Sequence, residues 1–438
     1  MPTPGADASR PNSSPLEPAP VEAEAAAPAL EVEPAEPEGE APPLNLDPRA
    51  LSLDVERAVL ERYRQGARRK ERDLCCPSDC EPRYLEAIPE EILERDYGCG
   101  DPTRFLREGD TVLDLGSGAG KNCFIASQIV GASGRVIGVD FNDDMLALAE
   151  KHRRGVGEAI GWHNVEFRKG RIQDLSLDVR LLDRHLADHP VRGSSELAAL
   201  EAQIARWRAE RPLVADESVD AVVSNCVLNL VGDRDKHLLF GEIFRVLRRG
   251  GRVAVSDIVS DEDVPPDLKR DPELWSGCIS GAFREDLFLK AFEEAGFHGI
   301  QIAARQDRPW RVVNGIEFRS VTITAHKGKQ GPCWERKQGV IYLGPWREVV
   351  DDDGHRLVRG ERVAVCDKTY NLLKREPYAG QVAAVEPYHD IPLEEAKPFA
   401  CRGYARRHPK ETKGEEYTLT TEDPGSCCGP GSNGSGCC

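Results

Sequence analysis

Short apolar runs of strand length alternate with amphipathic helical segments between about residues 81 and 260. The runs occupy positions 112–115, 135–140, 165–168, 220–225 and 253–256. Alternation of this kind is typical of a largely parallel sheet whose strands are connected by helices. Two further runs, near 299–305 and 317–325, are predicted to close one edge of that sheet. The pattern therefore predicts an α/β fold with a mostly parallel, seven-stranded sheet.

Composition and charge limit the possible classes of function. The chain has 438 residues and a formal net charge of −17, which argues against a general affinity for nucleic acid or an anionic membrane surface. It contains no run of about twenty apolar residues, the length needed to cross a bilayer. Its N-terminus is acidic and proline-rich and lacks the basic region and apolar run of a signal peptide. We therefore expect a cytoplasmic protein with no nucleic-acid or membrane partner.

A glycine-rich turn follows the first predicted strand. That strand brings Asp114 to the edge of the sheet, and the G-x-G-x-G turn at 116–120 lets the backbone approach a ligand closely. The second strand ends in Asp140, about twenty residues past the turn, where a carboxylate accepts hydrogen bonds from ribose hydroxyls. The third strand leads to residues 172–174, which are positioned to border an adenine ring. These features predict an adenosine-containing cofactor.

The order of these features resembles the class I S-adenosylmethionine-dependent methyltransferases, with their Rossmann-like fold, over residues 108–258. The Gly250-Gly251 turn suits this family better than the alternative, a nicotinamide-binding Rossmann domain. The resemblance implies S-adenosyl-L-methionine as the cofactor. For Asp114 and Asp140, a structural role as turn or helix-capping residues is the alternative. The predicted cofactor-binding residues are Tyr97, Asp114, Gly116, Ser117, Gly118, Asp140, Phe141, Met145, Ile172, Asp174 and Asn225.

Three cysteines lie in segments that are predicted to face the cofactor. Cys226 follows the fourth strand at its carboxyl end, the edge at which open α/β sheets bind ligands. Cys99 lies in a glycine-flanked turn before the first strand, and Cys278 lies in a glycine-containing segment that would cover the same edge. Thiolates are soft ligands that prefer soft metals and metalloids to magnesium or calcium. The three thiols predict a thiophilic substrate, and the alternative is that they are buried apolar cysteines of a core.

The blocks around these cysteines resemble the arsenite S-adenosylmethionine methyltransferases, and the likeness spans about residues 74–327. The blocks are Tyr97-Gly98-Cys99-Gly100, Ser224-Asn225-Cys226-Val227-Leu228-Asn229-Leu230 and Cys278-Ile279-Ser280-Gly281-Ala282. The paired cysteines near the start, the Tyr97 block and the segment after residue 330 resemble the bacterial subgroup associated with arsenosugar biosynthesis. The resemblance implies methylation of arsenite or its thiol conjugates, serving arsenic detoxification or arsenosugar synthesis.

The same resemblance implies roles for individual thiols. The expected arsenic(III) ligands are Cys99, Cys226 and Cys278. Methylation formally oxidises arsenic, so two electrons must come from thiols. In the family, an N-terminal cysteine forms a disulfide with the cysteine that matches Cys99, and thioredoxin or glutathione then reduces it. Here Cys75, Cys76 and Cys80 compete for that role, and we favour Cys75 or Cys76.

Composition and the resemblance divide the chain into six segments. They are a disordered acidic Pro/Ala/Glu tail (1–48), an N-terminal helix and cysteine cluster (49–80), a cofactor-binding methyltransferase domain (81–260), an arsenic-binding and sheet-closing region (261–329), a β-rich accessory module (330–412) and a flexible cysteine-rich tail (413–438). The tail pairs Cys427-Cys428 and Cys437-Cys438 either deliver arsenite or are incidental. A structural or incidental role is expected for the accessory thiols, Cys333, Cys366 and Cys401.

Two other functions compete with arsenite methylation at this point. The first is a methyltransferase for a small organic substrate, in which the cysteines are structural. An organic nucleophile usually needs a nearby acid or base, whereas the substrate-side segments here supply cysteines. The second is a non-catalytic thiol protein that sequesters metals, which would leave the cofactor-binding strand order without a purpose.

Overall fold

A nine-stranded sheet is the largest element of the computed structural model, which describes residues 48–71, 80–401 and 403–418. Its strands are β1 (Thr111–Leu115), β2 (Arg135–Asp140), β3 (Val165–Lys169), β4 (Val219–Asn225), β5 (Leu247–Ser260), β6 (Phe283–Arg284), β7 (His298–Arg305), β8 (Arg311–Val313) and β9 (Ile316–His326). Strands β3-β2-β1-β4-β5 run parallel, and β9 pairs antiparallel with both β5 and β7. The predicted class I methyltransferase fold is confirmed, and the short strands β6 and β8 are additions to the seven expected.

The central strands are apolar on both faces because helices cover both sides of a parallel sheet. All seven residues of β4 are buried, and Leu113 and Leu115 of β1 are fully inaccessible to solvent. Burying one such side chain contributes about 1.5–3 kcal/mol. The register pairs Leu115 with Ser224 in β4. Consequently the glycine turn after β1 and the segment that begins with Cys226 leave the same edge of the sheet side by side.

Helices connect the strands and cover the sheet. They are α1 (Pro48–Arg68), α2 (Pro82–Leu85), α3 (Glu90–Leu93), α4 (Lys121–Val130), α5 (Asp143–Ile160), α6 (Val179–Asp188), α7 (Ser194–Glu210), α8 (Lys236–Val246), α9 (Pro266–Lys269), α10 (Pro272–Ser276), α11 (Glu285–Glu294), α12 (Asp367–Leu373) and α13 (Pro409–Lys413). Short 3₁₀ helices cover Pro102–Phe105, Leu228–Leu230 and Leu393–Glu395. None of the helices among the described residues has both the length and the apolar composition needed to span a bilayer.

Helix α1 connects the two sides of the carboxyl edge of the sheet. At one end it packs on the start of α5, where the Asn142 side chain donates to the Leu60 carbonyl (3.1 Å) and Arg64 pairs with Asp144 (3.1 Å). On the other side, Arg62 donates to the Glu273 carbonyl (2.8 Å) in α10, just before Cys278. The helix therefore lies across the cofactor edge and the cysteine-containing segment at once.

Three small sheets and α12 form the β-rich region near the carboxyl end. Their strands are β10 (Trp334–Glu335), β11 (Gly339–Tyr342), β12 (Glu348–Val350), β13 (Arg356–Val358), β14 (Arg362–Ala364), β15 (Val382–Val385) and β16 (Lys397–Pro398). The pairings are β14-β11-β15, β12-β13 and β10-β16. Buried side chains such as Val340, Val363 and Tyr370 form a core of their own. This bears out the expected β-rich accessory region.

Several predictions concern residues outside the described ranges. The acidic tail at 1–48 lies almost entirely outside them, as do Cys75, Cys76 and the cysteine pairs of the carboxyl-terminal tail. The boundaries of the six predicted segments stay predictions.

Candidate active site

The glycine turn after β1 adopts a backbone that side chains disfavour. Gly116, Gly118 and Gly120 all have positive φ angles, of 68°, 51° and 90°. A Cβ atom on Gly116 would overlap the side chain of Val227, the residue that follows Cys226. The Gly118 amide donates to the Asp140 carboxylate (2.8 Å). The turn is thus tied to the end of β2 and packed directly against the Cys226 segment.

A cavity opens between this turn, α1 and the ends of β2, β3 and β4. Of the eleven predicted cofactor residues, those at its wall are Tyr97, Gly116, Ser117, Gly118, Asp140, Phe141, Met145, Ile172 and Asn225. Asp174 is instead paired with Arg208 (2.7 Å). Asp114 lies buried behind the wall, where it accepts a hydrogen bond from the Cys123 thiol (3.2 Å). Nine of the residues predicted from the sequence thus line the cavity. Asp114 and Asp174 do not line it, because packing places their side chains elsewhere.

The polar groups around the cavity fit a ligand that carries hydrogen-bond donors. Within the described residues, Ser117 Oγ and Asn122 Oδ1 at the cavity wall are buried without a hydrogen-bond partner. Burial raises the pKa of Asp114 to about 7, and burial also raises the pKa of Asp140. Buried acceptors without partners cost stability unless a ligand satisfies them. The hydroxyl, amino and ammonium groups of S-adenosylmethionine supply the matching donors.

Two of the candidate substrate cysteines have strained backbones. Cys226 and Cys278 both have a φ of 61°, in the left-handed region that costs a residue with a side chain roughly 1–2 kcal/mol. The Cys278 thiol donates to the Cys226 carbonyl (3.2 Å), and both residues are buried. Strain held in place by surrounding structure is typical of functional sites.

The third cysteine, Cys99, is held by the side chain of Asn225. Asn225 Oδ1 accepts from the amides of Cys99 (2.8 Å) and Gly100 (3.2 Å), and its Nδ2 donates to the Gly100 carbonyl (2.8 Å). Ser320 of β9 also donates to the Cys99 carbonyl (2.7 Å). Asn225, which the sequence suggested only as a cofactor residue, therefore also fixes the loop that bears Cys99.

Asp257 is a site residue that the sequence reasoning missed. Its carboxylate and the sulfurs of Cys99 and Cys226 all lie within 4.8 Å of one another. It accepts from the Leu228 amide (2.8 Å) and from Asn229 Nδ2 (2.8 Å). Burial raises the pKa of Asp257 to about 6. Its position directly after the apolar run at 253–256, next to the ligand-binding edge, is the signal that could have identified it.

Tyr63 of α1 is the second residue that was missed. Its hydroxyl hydrogen-bonds with the Cys278 side chain, and its ring packs edge-on against Tyr97 at 5.9 Å. Burial, followed by the nearby Cys278 and Cys226 side chains, raises the pKa of Tyr63 well above its ordinary value. Tyr63 also lines the cavity. No sequence signal links α1 to a cysteine more than 200 positions away, so only the packing of α1 shows this contact.

The candidate redox cysteines are described only in part, because Cys75 and Cys76 lie outside the described residues. Cys80 is buried, and its side chain hydrogen-bonds with the ammonium group of Lys121. Lys121 also pairs with Asp96 (2.6 Å) at the wall of the cavity. The end of the predicted N-terminal cysteine cluster therefore contacts a side chain of the cofactor cavity.

Known proteins are similar to this chain in sequence over most of its length. Residues 106–190 and 188–296 match a family model described as a methyltransferase domain, and residues 329–417 match a domain of unknown function. The chain is 32% identical over 323 residues to an arsenite methyltransferase of Aquipseudomonas alcaligenes, covering 70% of this chain and 82% of the relative. It is 30% identical over 308 residues to the arsenite methyltransferase of Homo sapiens, covering 67% and 72%.

One solved structure is similar over a comparable length. It is an arsenic(III) S-adenosylmethionine methyltransferase from Chlamydomonas reinhardtii, which aligns with a TM-score of 0.49 and 24% identity. The alignment covers 76% of this chain and 100% of that one.

Proposed function

The chain belongs to the arsenite methyltransferases, and from this premise we propose that Cys99, Cys226 and Cys278 bind its trivalent arsenic substrate. The enzyme methylates arsenite, with S-adenosylmethionine as the methyl donor. One observation carries the assignment of the thiols. The Cys226 sulfur lies within 4.8 Å of the Cys99 sulfur, and the Cys226 carbonyl accepts from the Cys278 thiol. Cys226 also lines the wall of the cofactor cavity, and the next residue packs on the Gly116 backbone.

The residues of the site act mainly by placement. S-adenosylmethionine supplies an electrophilic methyl group, and the arsenic lone pair is the nucleophile, so no general base has to remove a proton. Thiolates at Cys226 and Cys278 hold the arsenic at the cavity wall, and Cys99 adds the third ligand. Fixing the two reacting partners next to each other converts a bimolecular step into a unimolecular one. The strained backbones, Asn225 and Asp257 serve to keep the thiols in place.

The electron balance of the reaction requires a pair of thiols that donates two electrons to arsenic. Transfer of a methyl cation leaves arsenic formally pentavalent, so two electrons must return to it before the next cycle. We assign their source to Cys99 and either Cys75 or Cys76, whose thiolates lose two electrons as a disulfide forms. Thioredoxin or glutathione then reduces that disulfide by thiol exchange. The arsenic substrate arrives as arsenite or as its thiol conjugate.

Activity measurements on thiol variants test this proposal. Full-length enzyme is incubated with arsenite, S-adenosylmethionine and a thiol reductant, and methylated arsenic is quantified by chromatography with mass detection. We expect Cys226→Ser and Cys278→Ser each to lower the rate by about 100-fold or more, since each removes a thiolate ligand and tenfold in rate corresponds to about 1.4 kcal/mol. The matched control is Cys333→Ser in the accessory region, for which we expect a rate within about twofold of the unmodified enzyme. Full activity in both Cys226→Ser and Cys278→Ser would contradict the assignment of these thiols as arsenic ligands.

A further inference from the structure

The structure brings together three cysteines that the sequence leaves far apart. Cys333, Cys366 and Cys401 each contribute a sulfur, and the three sulfurs all lie within 4.8 Å of one another. Cys333 precedes β10 and Cys401 follows β16, and these two strands pair antiparallel. The Phe399 amide donates to the Cys333 carbonyl (2.8 Å) and extends that ladder. Cys366 comes from a third segment, between β14 and α12. We call this set the accessory thiols.

The accessory thiols combine one anchored sulfur with two that a small solute can reach. Cys366 is fully buried, and its sulfur accepts from the Thr369 amide (3.4 Å). Cys333 and Cys401 are half-buried, so the set has an open side. No disulfide joins any of the three.

The surroundings also favour ionisation of one of these thiols. Burial would by itself raise the pKa of Cys333, but hydrogen bonds from Cys401 and Cys366 together with the nearby Lys368 ammonium lower it below its ordinary value. Burial and the neighbouring thiols of Cys333 and Cys366 raise the pKa of Cys401. A soft ion that binds three such thiols displaces their protons, because the thiolate is the form that ligates.

We propose that the accessory thiols bind trivalent arsenic as a second site, separate from the catalytic cysteines. Binding exchanges three As–O bonds of arsenous acid for three As–S bonds. Each thiol proton leaves with a hydroxide as water, so three waters are released and no electrons are transferred. The site depends on arsenite being the substrate that this enzyme meets, and not on the assignment of the catalytic ligands.

The number and type of donors decide between arsenic and other ions. Three thiolates exclude hard cations such as magnesium and calcium, which select oxygen ligands. Structural zinc almost always takes four ligands. Among the described residues, the set contains three donors and no further cysteine, histidine or carboxylate. Trivalent arsenic keeps a lone pair and completes its coordination with three sulfurs. A donor set of three thiols therefore fits arsenic better than zinc.

Arsenic stoichiometry tests the second site. The background is the full-length chain in which Cys226, Cys278 and the four tail cysteines are replaced by serine, reduced with a phosphine and dialysed against arsenite. Arsenic per chain is measured by plasma mass spectrometry, before and after adding Cys333→Ser or Cys401→Ser. We expect each added change to lower bound arsenic by about one equivalent. The matched control is Cys123→Ser, a buried thiol outside both sets, which should leave bound arsenic unchanged.

Two results would overturn the proposal. The first is the same arsenic content in the background protein and in both accessory variants, with thermal unfolding showing that all are folded. The second is one zinc per chain in the protein as purified, lost in Cys333→Ser and retained in the presence of arsenite. Neither result depends on catalysis, because the background lacks two catalytic cysteines. Failure of the second site and failure of the catalytic assignment are therefore distinguishable.

Discussion

The molecule contains two sets of three thiols, and they differ in what lies beside them. The catalytic thiols at Cys99, Cys226 and Cys278 are all buried, and two of them have strained backbones. Cys226 lines a cavity whose wall also includes the glycine turn. The accessory thiols include two half-buried cysteines, and none of the three lines that cavity.

This difference separates binding of arsenic from its methylation. Any three converging thiols can hold a soft ion, because affinity depends on donor type and number. Methyl transfer requires in addition that the ion lie next to the methyl donor, since placement is the main contribution of the protein. Among the described residues, Cys226 lines the cavity that we propose for the methyl donor, whereas none of the accessory thiols does.

The largest expected effect comes from Asn225→Ala. The change removes three hydrogen bonds to the Cys99 loop. At about 1 kcal/mol for each, we expect kcat/KM for arsenite to fall by about 100-fold. Steady-state kinetics with arsenite as the varied substrate measures the effect.

An asparagine in α12, the helix that follows Cys366, provides the matched control. The Asn371 side chain donates to the backbone carbonyl of Asp367 (2.9 Å), and Asp367 is the residue that follows Cys366. We expect Asn371→Ala to change kcat/KM by no more than about twofold, as for most surface substitutions. Equal losses in the two variants would contradict the distinction between the two thiol sets.

Acidification should lower the free energy of unfolding through two histidines that lie where the accessory region meets the sheet. There His298 stacks on Tyr378 at 6.0 Å and lies near His326. Burial, with nearby positive charge, lowers the pKa of both histidines to about 4. Because the unfolded chain binds these protons near pH 6.5, stability is complete above that pH and is lost as the pH falls towards 4. We expect about 2 kcal/mol less free energy of unfolding per histidine at pH 5 than at pH 7.

Urea unfolding at the two pH values checks this prediction. The control is the double variant His298→Asn and His326→Asn, which should show a smaller decrease between pH 7 and pH 5 than the unmodified chain. The same decrease in both proteins would mean that these histidines do not titrate as the structure implies.

The smallest effect is expected for Tyr63→Phe. The change removes the hydroxyl that hydrogen-bonds with the Cys278 side chain and keeps the ring that packs on Tyr97. A typical hydrogen bond contributes about 0.5–1.5 kcal/mol net, so arsenite binding should weaken by up to about tenfold. Isothermal titration with arsenite measures the affinity. The control is Tyr370→Phe, which loses a hydrogen bond to Glu386 (3.1 Å) in the accessory region. This change should leave the arsenite affinity of the catalytic site as it is. An equal loss of affinity in both variants would contradict a specific role for Tyr63.

The sequence predicted the sheet because strand order depends on local patterns, and the same patterns gave the candidate cysteines, whose role stays a prediction. Strand-length apolar runs match the strands, and the glycine turn and Cys226 each follow a strand directly. Tyr63 and Asp257 were missed because they act through tertiary packing. The accessory thiols were expected to be structural or incidental, since their wide spacing shows none of the short ligand repeats of known metal sites.

The pairing of β10 with β16 brings the accessory thiols together, and strands of two residues leave almost no trace in an apolar pattern. Cys75 and Cys76 stay predictions for the redox step.

X-ray absorption at the arsenic edge tests the central claim most directly. Full-length enzyme carrying Cys333→Ser is loaded with a substoichiometric amount of arsenite, and the number of sulfur neighbours of the arsenic is measured. We expect three sulfur neighbours. One of them should be replaced by oxygen when Cys99→Ser is added. Two should be replaced when Cys226 and Cys278 are both changed to serine. An arsenic environment that stays at three sulfurs in all of these variants would contradict the claim that the three catalytic thiols hold the substrate.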